Sequence, residues 1–283
     1  MAAPFRFPAS PSLPLGGLEY SRQYQEQFNN VLRLYFNQLS TQLQQLASNK
    51  GAYVLSFPSG AFHQAVTTAL TSGITNVSTT PIPVTSTTGF PSSGYVMIDT
   101  EIISYTAVTS TTFAGTITRG VLGSSTSAHS AGAYVSDVQG TGSGTAIGVA
   151  RLASTDYSNG VYVNLSDNTK VVFDTTGTYN IQISAQLANY TTSVDNVTMW
   201  FRKNGSDVAA SASVMSVPSS HGGKAGATIL AYNVILTMTA GDYIQVPWAT
   251  DSGNSMVLTY PSGTSPTHPA SPGLILTATY VSA

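Results

Sequence analysis

The side chains of this protein that could do acid–base or metal chemistry are few and scattered. Its four histidines are His63, His129, His221 and His268. No two stand at the i, i+4 spacing that sets a pair over a zinc ion on one helix face, and no cysteine is present to complete a thiolate site or form a disulfide. No Gly-x-Ser-x-Gly elbow occurs, so the commonest serine-hydrolase signal is missing. Gly140-x-Gly142 and Gly142-x-Gly144 superficially match a phosphate loop. No strand–helix–strand unit follows them, and a flexible linker is the expected role. A glycosidase needs only a carboxylate pair. Asp156, Asp167, Asp174, Asp195, Asp207, Asp242 and Asp251, however, mostly fall beside Gly, Asn, Ser or Thr, where an acid serves a turn. Trp200 and Trp248 have faces suited either to a sugar ring or to sheet packing. His221-Gly222-Gly223-Lys224 reads as a flexible polar loop. His221, Lys224 and Trp248 are therefore the candidate receptor contacts, and no catalytic, metal or cofactor site is expected.

Composition narrows the function further. Only 8% of the 283 residues are charged, against about 25% in an ordinary soluble domain. The net charge of −2 leaves no basic footprint for nucleic acid. Hydrophobic residues make up 42%, enough to fold. A monomer so weakly charged has little to oppose self-association, which implies a surface covered by partners. No apolar run approaches the ~18 residues of a membrane helix. Met1-Ala-Ala-Pro-Phe-Arg-Phe-Pro lacks the apolar stretch of a signal peptide, so synthesis in a cytosol is expected.

Six segments differ in pattern. Residues 1–17 form a docking arm punctuated by Pro4, Pro8, Pro11, Pro14, Gly16 and Gly17, an extended chain that orders against something else. Residues 18–50 carry an apolar stripe at Tyr24, Phe28, Leu32, Tyr35, Leu39, Leu43 and Leu46, spaced for one long helix. Glu19 and Glu26 lie early and Lys50 and Gly51 late, as the helix dipole and C-cap favour. Fully buried, that stripe would contribute roughly 10–20 kcal/mol as an upper limit. The helix either lies across its own β-domain or packs on copies of itself or a neighbouring protein, and the uncharged Gln-rich opposite face favours the second.

Residues 51–74 read as a connector with a short helical turn. Residues 75–138 read as a small β-module, with strands at Ile82-Pro-Val-Thr-Ser, Gly94-Tyr-Val-Met-Ile and Glu101-Ile-Ile-Ser-Tyr-Thr and a tight hairpin at Asp99-Thr100. Residues 139–147 form a Gly/Ser linker. Residues 148–283 show long period-two alternation, as in Tyr179, Ile181, Ile183, Ala185 and Leu187, with hairpin signals at Asn204-Gly205 and Gly241-Asp242. The fold class predicted is mainly β: an N-terminal long α-helix, a small β-module and a C-terminal antiparallel jelly-roll β-sandwich.

These residues carry a resemblance. The stretch Glu19 to Leu39 resembles the N-terminal helix of structural proteins in T7-like phages of marine cyanobacteria and related hosts. Phe90-Pro-Ser-Ser-Gly through Thr118-Arg-Gly, with His129-Ser-Ala-Gly-Ala-Tyr-Val, is similar to a small β-module of phage virion proteins. Gly177-Thr-Tyr, Arg202-Lys-Asn-Gly and Ala240-Gly-Asp resemble the C1q/TNF-like jelly rolls that end many phage fibre chains. The resemblance implies a non-enzymatic, tail-associated virion protein that forms a homo-oligomer, favoured as a trimer, and docks on other tail or capsid proteins. It places the docking role on Arg22, Tyr24, Phe28, Leu32, Arg33, Tyr35, Phe36, Leu39, Leu43 and Leu46. It implies synthesis in the host bacterial cytoplasm and a final place in the virion, with neither nucleic acid nor membrane as partner. No extended repeat is present, so a short fibre, ring or anchoring appendage is expected. The alternative is a receptor-binding head whose loops 218–226 and 250–270 touch host surface glycan.

Overall fold

The computed structural model describes residues 11–13, 22–47, 57–264 and 266–282, and the chain divides into two compact units, Met1–Phe57 and Pro58–Ala283. In the first unit, α1 (Arg22–Ala47) runs without Gly or Pro. Its first turn holds no acid and its last no base. The flanking residues expected to serve the dipole, Glu19, Lys50 and Gly51, lie outside the described residues, as do most of the arm and residues 51–56 of the connector.

Among the described residues the second unit runs β1 (Ser59–Gln64), β2 (Thr67–Ala69), β3 (Ile82–Pro83), β4 (Gly94–Ile98), β5 (Glu101–Tyr105), β6 (Ala107–Val108), β7 (Thr112–Ala114) and β8 (Tyr134–Gly140). It continues with β9 (Gly148–Val149), β10 (Ser154–Asn159), β11 (Val161–Val163), β12 (Val171–Phe173), β13 (Gly177–Asn189), β14 (Asp195–Met199), β15 (Arg202–Lys203) and β16 (Ser206–Asp207). The last strands are β17 (Ser213–Val217), β18 (Gly226–Met238), β19 (Tyr243–Gln245), β20 (Pro247–Thr250), β21 (Met256–Leu258), β22 (Gly263–Thr264), β23 (Thr267–His268) and β24 (Leu274–Ser282). One large antiparallel sheet takes the order β10-β1-β24-β13-β21-β8-β4-β5, with β18 along the other edge of β13 and β2 beside β8. Two smaller sheets, β17-β14-β20-β9 and β11-β12-β19-β15-β16, complete the C-terminal jelly-roll sandwich, and β3-β7-β6 completes the small module.

The sandwich follows from the alternation. On β13, Tyr179, Ile181, Ile183, Ala185 and Leu187 are buried, and they share one core with Val197, Met199, Phe201, Ile244 and Trp248 from the smaller sheets. Asn204 and Gly205 take φ of 49° and 83°, the left-handed pair that a two-residue hairpin between β15 and β16 needs. The module has its own core around Val96, Ile98, Ile103, Phe113 and Val135.

Two expectations need correction. The described part of the segment read as a connector contains β1, which pairs with β10 and β24 inside the main sheet. Its inward positions are Gly60, Phe62 and Gln64, so only one large apolar residue marks the buried face and the alternation is hidden. The Gly/Ser segment at 139–147, read as a free linker, is packed. A Cβ on Gly144 would stand 2.1 Å from the Asp251 carbonyl oxygen, and one on Gly253 would stand 2.3 Å from the Ser143 nitrogen. Gln139 and Gly140 belong to β8, which pairs with β21 and joins the module to the sandwich in one sheet. A third core, with Met97, Ile102, Leu122, Val138, Met256 and Leu258, fills this junction.

Candidate functional site

The hairpin β4–β5 positions the most concentrated polar chemistry among the described residues. Its turn residue Asp99 takes φ of 55°, a left-handed conformation that Asp tolerates, and the turn brings Asp99 and Glu101 to the same end of the module. Glu101 is fully buried. One of its oxygens, Oε1, accepts from Arg119 Nε at 2.7 Å and Gly120 N at 3.1 Å. Its other oxygen, Oε2, accepts from Arg119 Nη2 at 2.7 Å, Ser127 N at 3.0 Å and His129 Nε2 at 2.8 Å. Arg119 in turn donates to the carbonyls of Thr75, Ser78 and Ser127, tying the β2–β3 and β7–β8 connections to β5. Burial alone would raise the Glu101 carboxyl. The Arg119 hydrogen bonds, the Ser127 N–H, the His129 ring and the Arg119 charge outweigh it and hold the group below the usual carboxylate value.

This network contains a Ser–His–Asp sequence of contacts: Ser127 Oγ lies 3.4 Å from His129 Nε2, and His129 Nδ1 lies 2.7 Å from Asp99 Oδ2. The geometry does not make a nucleophile. Nε2 is held at 2.8 Å by the Glu101 carboxylate, so it donates there and has no lone pair to take the Ser127 proton. The cluster is a clamp that fixes the hairpin tip, and it leaves Asp99, whose side chain is 59% exposed, turned to the surface.

A second buried pair lies where the module meets the sandwich. Arg151 Nη2 reaches both Asp137 oxygens at 2.9 and 2.8 Å, and Gln64 Nε2 adds a bond at 2.7 Å. Here burial dominates. Despite Arg151 and Gln64, the Asp137 carboxyl is pushed up, the opposite of Glu101.

Above the clamp opens a cleft of about 360 Å³, lined by Met97, Asp99, Thr100, Tyr190, Gly223, Lys224, Ala225, Tyr260 and Pro261. It shares Thr100, Tyr190 and Gly223 with a neighbouring pocket of about 210 Å³ that adds Ser125 and Ser220. The Tyr190 hydroxyl points at the Met97 sulfur at 3.7 Å, and burial raises its pKa; that of Tyr260 is raised by burial and by Tyr190. On the loop between β17 and β18, His221 and Lys224 exchange backbone hydrogen bonds at 3.0 and 3.1 Å. Gly222 and Gly223 between them take φ of 58° and 75°, a turn that needs glycine. Both residues are exposed; Lys224 borders the cleft and His221 lies outside its lining.

The structure separates the other expected site residues. Trp248, expected as a receptor contact, is a correction: it is 1% exposed in the sandwich core. Ile244 in the preceding strand β19, Val246 between the two strands and Trp248 in β20 are all buried in the same core, so the ring packs and cannot meet a ligand. On α1, Tyr24, Phe28, Leu32, Tyr35 and Leu39 are half-buried along one face with Val31, while Phe36 is exposed on another. Tyr24 stacks on Phe28 at 6.1 Å, Arg22 pairs with Glu26 at 3.0 Å, and Arg33 donates to Asn30 at 2.9 Å. Leu43 and Leu46 lie in the helix, but their side chains fall outside the described residues. Ser12 and Leu13 of the arm border a groove on this helix with Gln27, Asn30 and Val31.

The fold defines the class: a jelly-roll β-sandwich with a second β-module built onto its main sheet. No protein-family model matches the sequence, and no curated protein matches it. Among solved structures, the crystal structure of murine APRIL at pH 8.5 is similar at 10% identity, covering 51% of this chain and 92% of that chain with a TM-score of 0.32. That of murine APRIL at pH 5.0 gives 12%, 48% and 88%, with a TM-score of 0.33. Likeness of this degree carries no argument about what the chain does.

Proposed function

We propose that this protein is a non-enzymatic structural component of a phage virion, tail-associated, that works by assembling into a symmetric oligomer, favoured as a trimer. The observation that carries the reading is the outer face of the main sheet. β13, β18 and β24 are neighbours over their length, and none of the three contains a charged residue. Ile229, Ile235, Ile275 and Val281 stand exposed among Asn, Gln, Ser and Thr on these strands. Among the described strands β18 is paired on one edge only, along thirteen residues without proline or charge. Soluble monomers guard such edges with lysine, proline or bulges, and a bare one invites pairing with another chain. The apolar face of α1 is a second surface of the same kind, suited to a neighbour in the particle. The virion assignment rests on the sequence resemblance.

Native mass spectrometry of the full chain at tens of micromolar tests the assembly. A trimer is expected, and Ile235→Glu, which sets an unpaired charge on the face, is expected to shift it to monomer. A wild-type chain that stays monomeric overturns the reading. Peptide mass spectrometry of purified particles tests the virion placement, and absence of this chain from them overturns it.

A further inference from the structure

We propose that the cleft between the hairpin tip at Asp99-Thr100 and the loop carrying Lys224 binds a neutral saccharide, with Tyr190 and Tyr260 receiving the C–H faces of its pyranose rings. The cleft's size, about 360 Å³, falls within the ~300–1,000 Å³ of small-molecule sites. Its walls have the composition such a ligand needs. Two half-buried tyrosines give apolar ring faces that are already placed, so little side-chain freedom is lost on binding. Asp99 accepts the His129 bond through Oδ2, which holds the carboxylate in place while its other oxygen stays available to a sugar hydroxyl. Lys224 borders the same cleft, and its ammonium makes no ion pair among the described residues. The hydroxyls of Thr100, Ser125 and Ser220 line the same and the adjoining pocket.

Charge selects among ligands. One acid and one base border the cleft, so its field is balanced and favours a neutral partner over an acidic sugar or a phosphate. A purely apolar ligand would leave the acid, the base and the hydroxyls without partners. The clamp beneath has a use in this arrangement: Glu101, Arg119 and His129 fix the hairpin tip from which Asp99 and Thr100 reach the ligand. The site goes beyond the assembly reading and does not depend on it, since the cleft involves none of β13's outer face or β24.

The test is saturation-transfer NMR on the full chain with a panel of neutral di- and trisaccharides of the glucose, galactose, mannose and rhamnose series, with uronic-acid oligosaccharides and inorganic phosphate alongside. Transfer to ring C–H protons of a neutral sugar is expected, with affinity falling at least tenfold in Tyr260→Ala. Lys224→Ala and Thr100→Val, at exposed loop positions, guard against a folding artefact, and each is expected to weaken binding severalfold with an unchanged circular dichroism spectrum. No transfer at millimolar neutral sugar, binding confined to the acidic probes, or binding indifferent to all three variants overturns the proposal. Native mass spectrometry of the same variants should match wild type, so failure here is distinguishable from failure of the assembly reading.

Discussion

Replacing Glu101 by Gln tests the clamp directly. The carboxylate accepts five hydrogen bonds, two at Oε1 and three at Oε2. Gln keeps the shape but turns one oxygen into a donor, so at least two N–H groups lose their acceptor whichever way the amide lies. Arg119, whose side chain is 5% exposed, is also left without its counter-charge. Breaking a buried pair on one side costs about 3–5 kcal/mol. For a unit the size of Pro58–Ala283, about 2–4 °C of Tm follows each kcal/mol, so the melting temperature should fall by about 6–20 °C. Calorimetry at pH 7 on wild type, Glu101→Gln, Arg119→Met and the double variant gives the cycle. The double variant should lose clearly less than the sum of the singles, because the second substitution removes the charge that the first stranded. The sign with pH is fixed by the same contacts. Glu101 titrates lower in the folded chain than in the unfolded one, so its contribution is complete above the ordinary value near 4 and is lost as pH falls through the folded value. A drop in Tm under about 2 °C, or strict additivity, would refute the clamp.

Asp137 should behave oppositely: its folded value is raised, so it works against stability increasingly as pH rises from about 4 through that value. Urea titrations from pH 3 to 8 should show that slope in wild type and its loss in Asp137→Asn, which should cost less at pH 7 than Glu101→Gln because the Arg151 side chain is 22% exposed. Gly144→Ala should cost about 1–3 kcal/mol by forcing the backbone off the Asp251 carbonyl, read as a shifted urea midpoint, whereas a truly free linker would show none. Phe28→Ser with Tyr35→Ser should leave the β signal in circular dichroism intact and remove the protein from particles, as measured by quantitative mass spectrometry. Normal occupancy of the double variant would end the docking role of α1.

What the sequence revealed depends on whether an interaction is local. The β4–β5 hairpin was legible because Asp99-Thr100 separates two apolar runs, and the β15–β16 hairpin because Asn204-Gly205 is a left-handed pair. The clamp was not, since Arg119 and His129 stand 18 and 28 residues beyond Glu101, with no period connecting them. A signal was nonetheless available: Glu101 opens a strand apolar at successive positions, Ile102 and Ile103, which implies burial on both faces and hence a partner for the acid. Trp248 was decidable too, because it follows Ile244 and Val246 at a spacing of two, the pattern of a buried face, and all three enter one core although β19 and β20 are separate strands. The cleft is assembled from the β4–β5 turn, the loop ahead of β18 and the segment after β21. The sequence marked the Asp99-Thr100 turn, the loop holding Gly223 and Lys224, and the 250–270 loop separately; that the fold brings them to one cleft, with Met97 and Tyr190 between, was not legible because no local pattern connects them.

The distribution of charge bears on assembly more than its scarcity. Two carboxylate–arginine pairs, Glu101–Arg119 and Asp137–Arg151, are placed inside, where they cost desolvation and fix geometry. Others, Arg202–Asp207 and Lys203–Asp242, decorate the turns of the smaller sheet. A chain merely poor in charge would have left its few groups spread over every face. Here three adjacent long strands, β13, β18 and β24, carry none, and the outermost of them leaves an edge unpaired. Uncharged β-strands with exposed Ile229 and Ile235 would drive uncontrolled edge pairing in a free monomer. A partner of fixed geometry suppresses that hazard by occupying the surface, and a rotationally closed ring of identical chains supplies one without leaving a further sticky face. Closure is therefore the physical reason to favour a symmetric oligomer over an open filament, and a concentration series showing one discrete species, with no ladder of larger ones, is its signature.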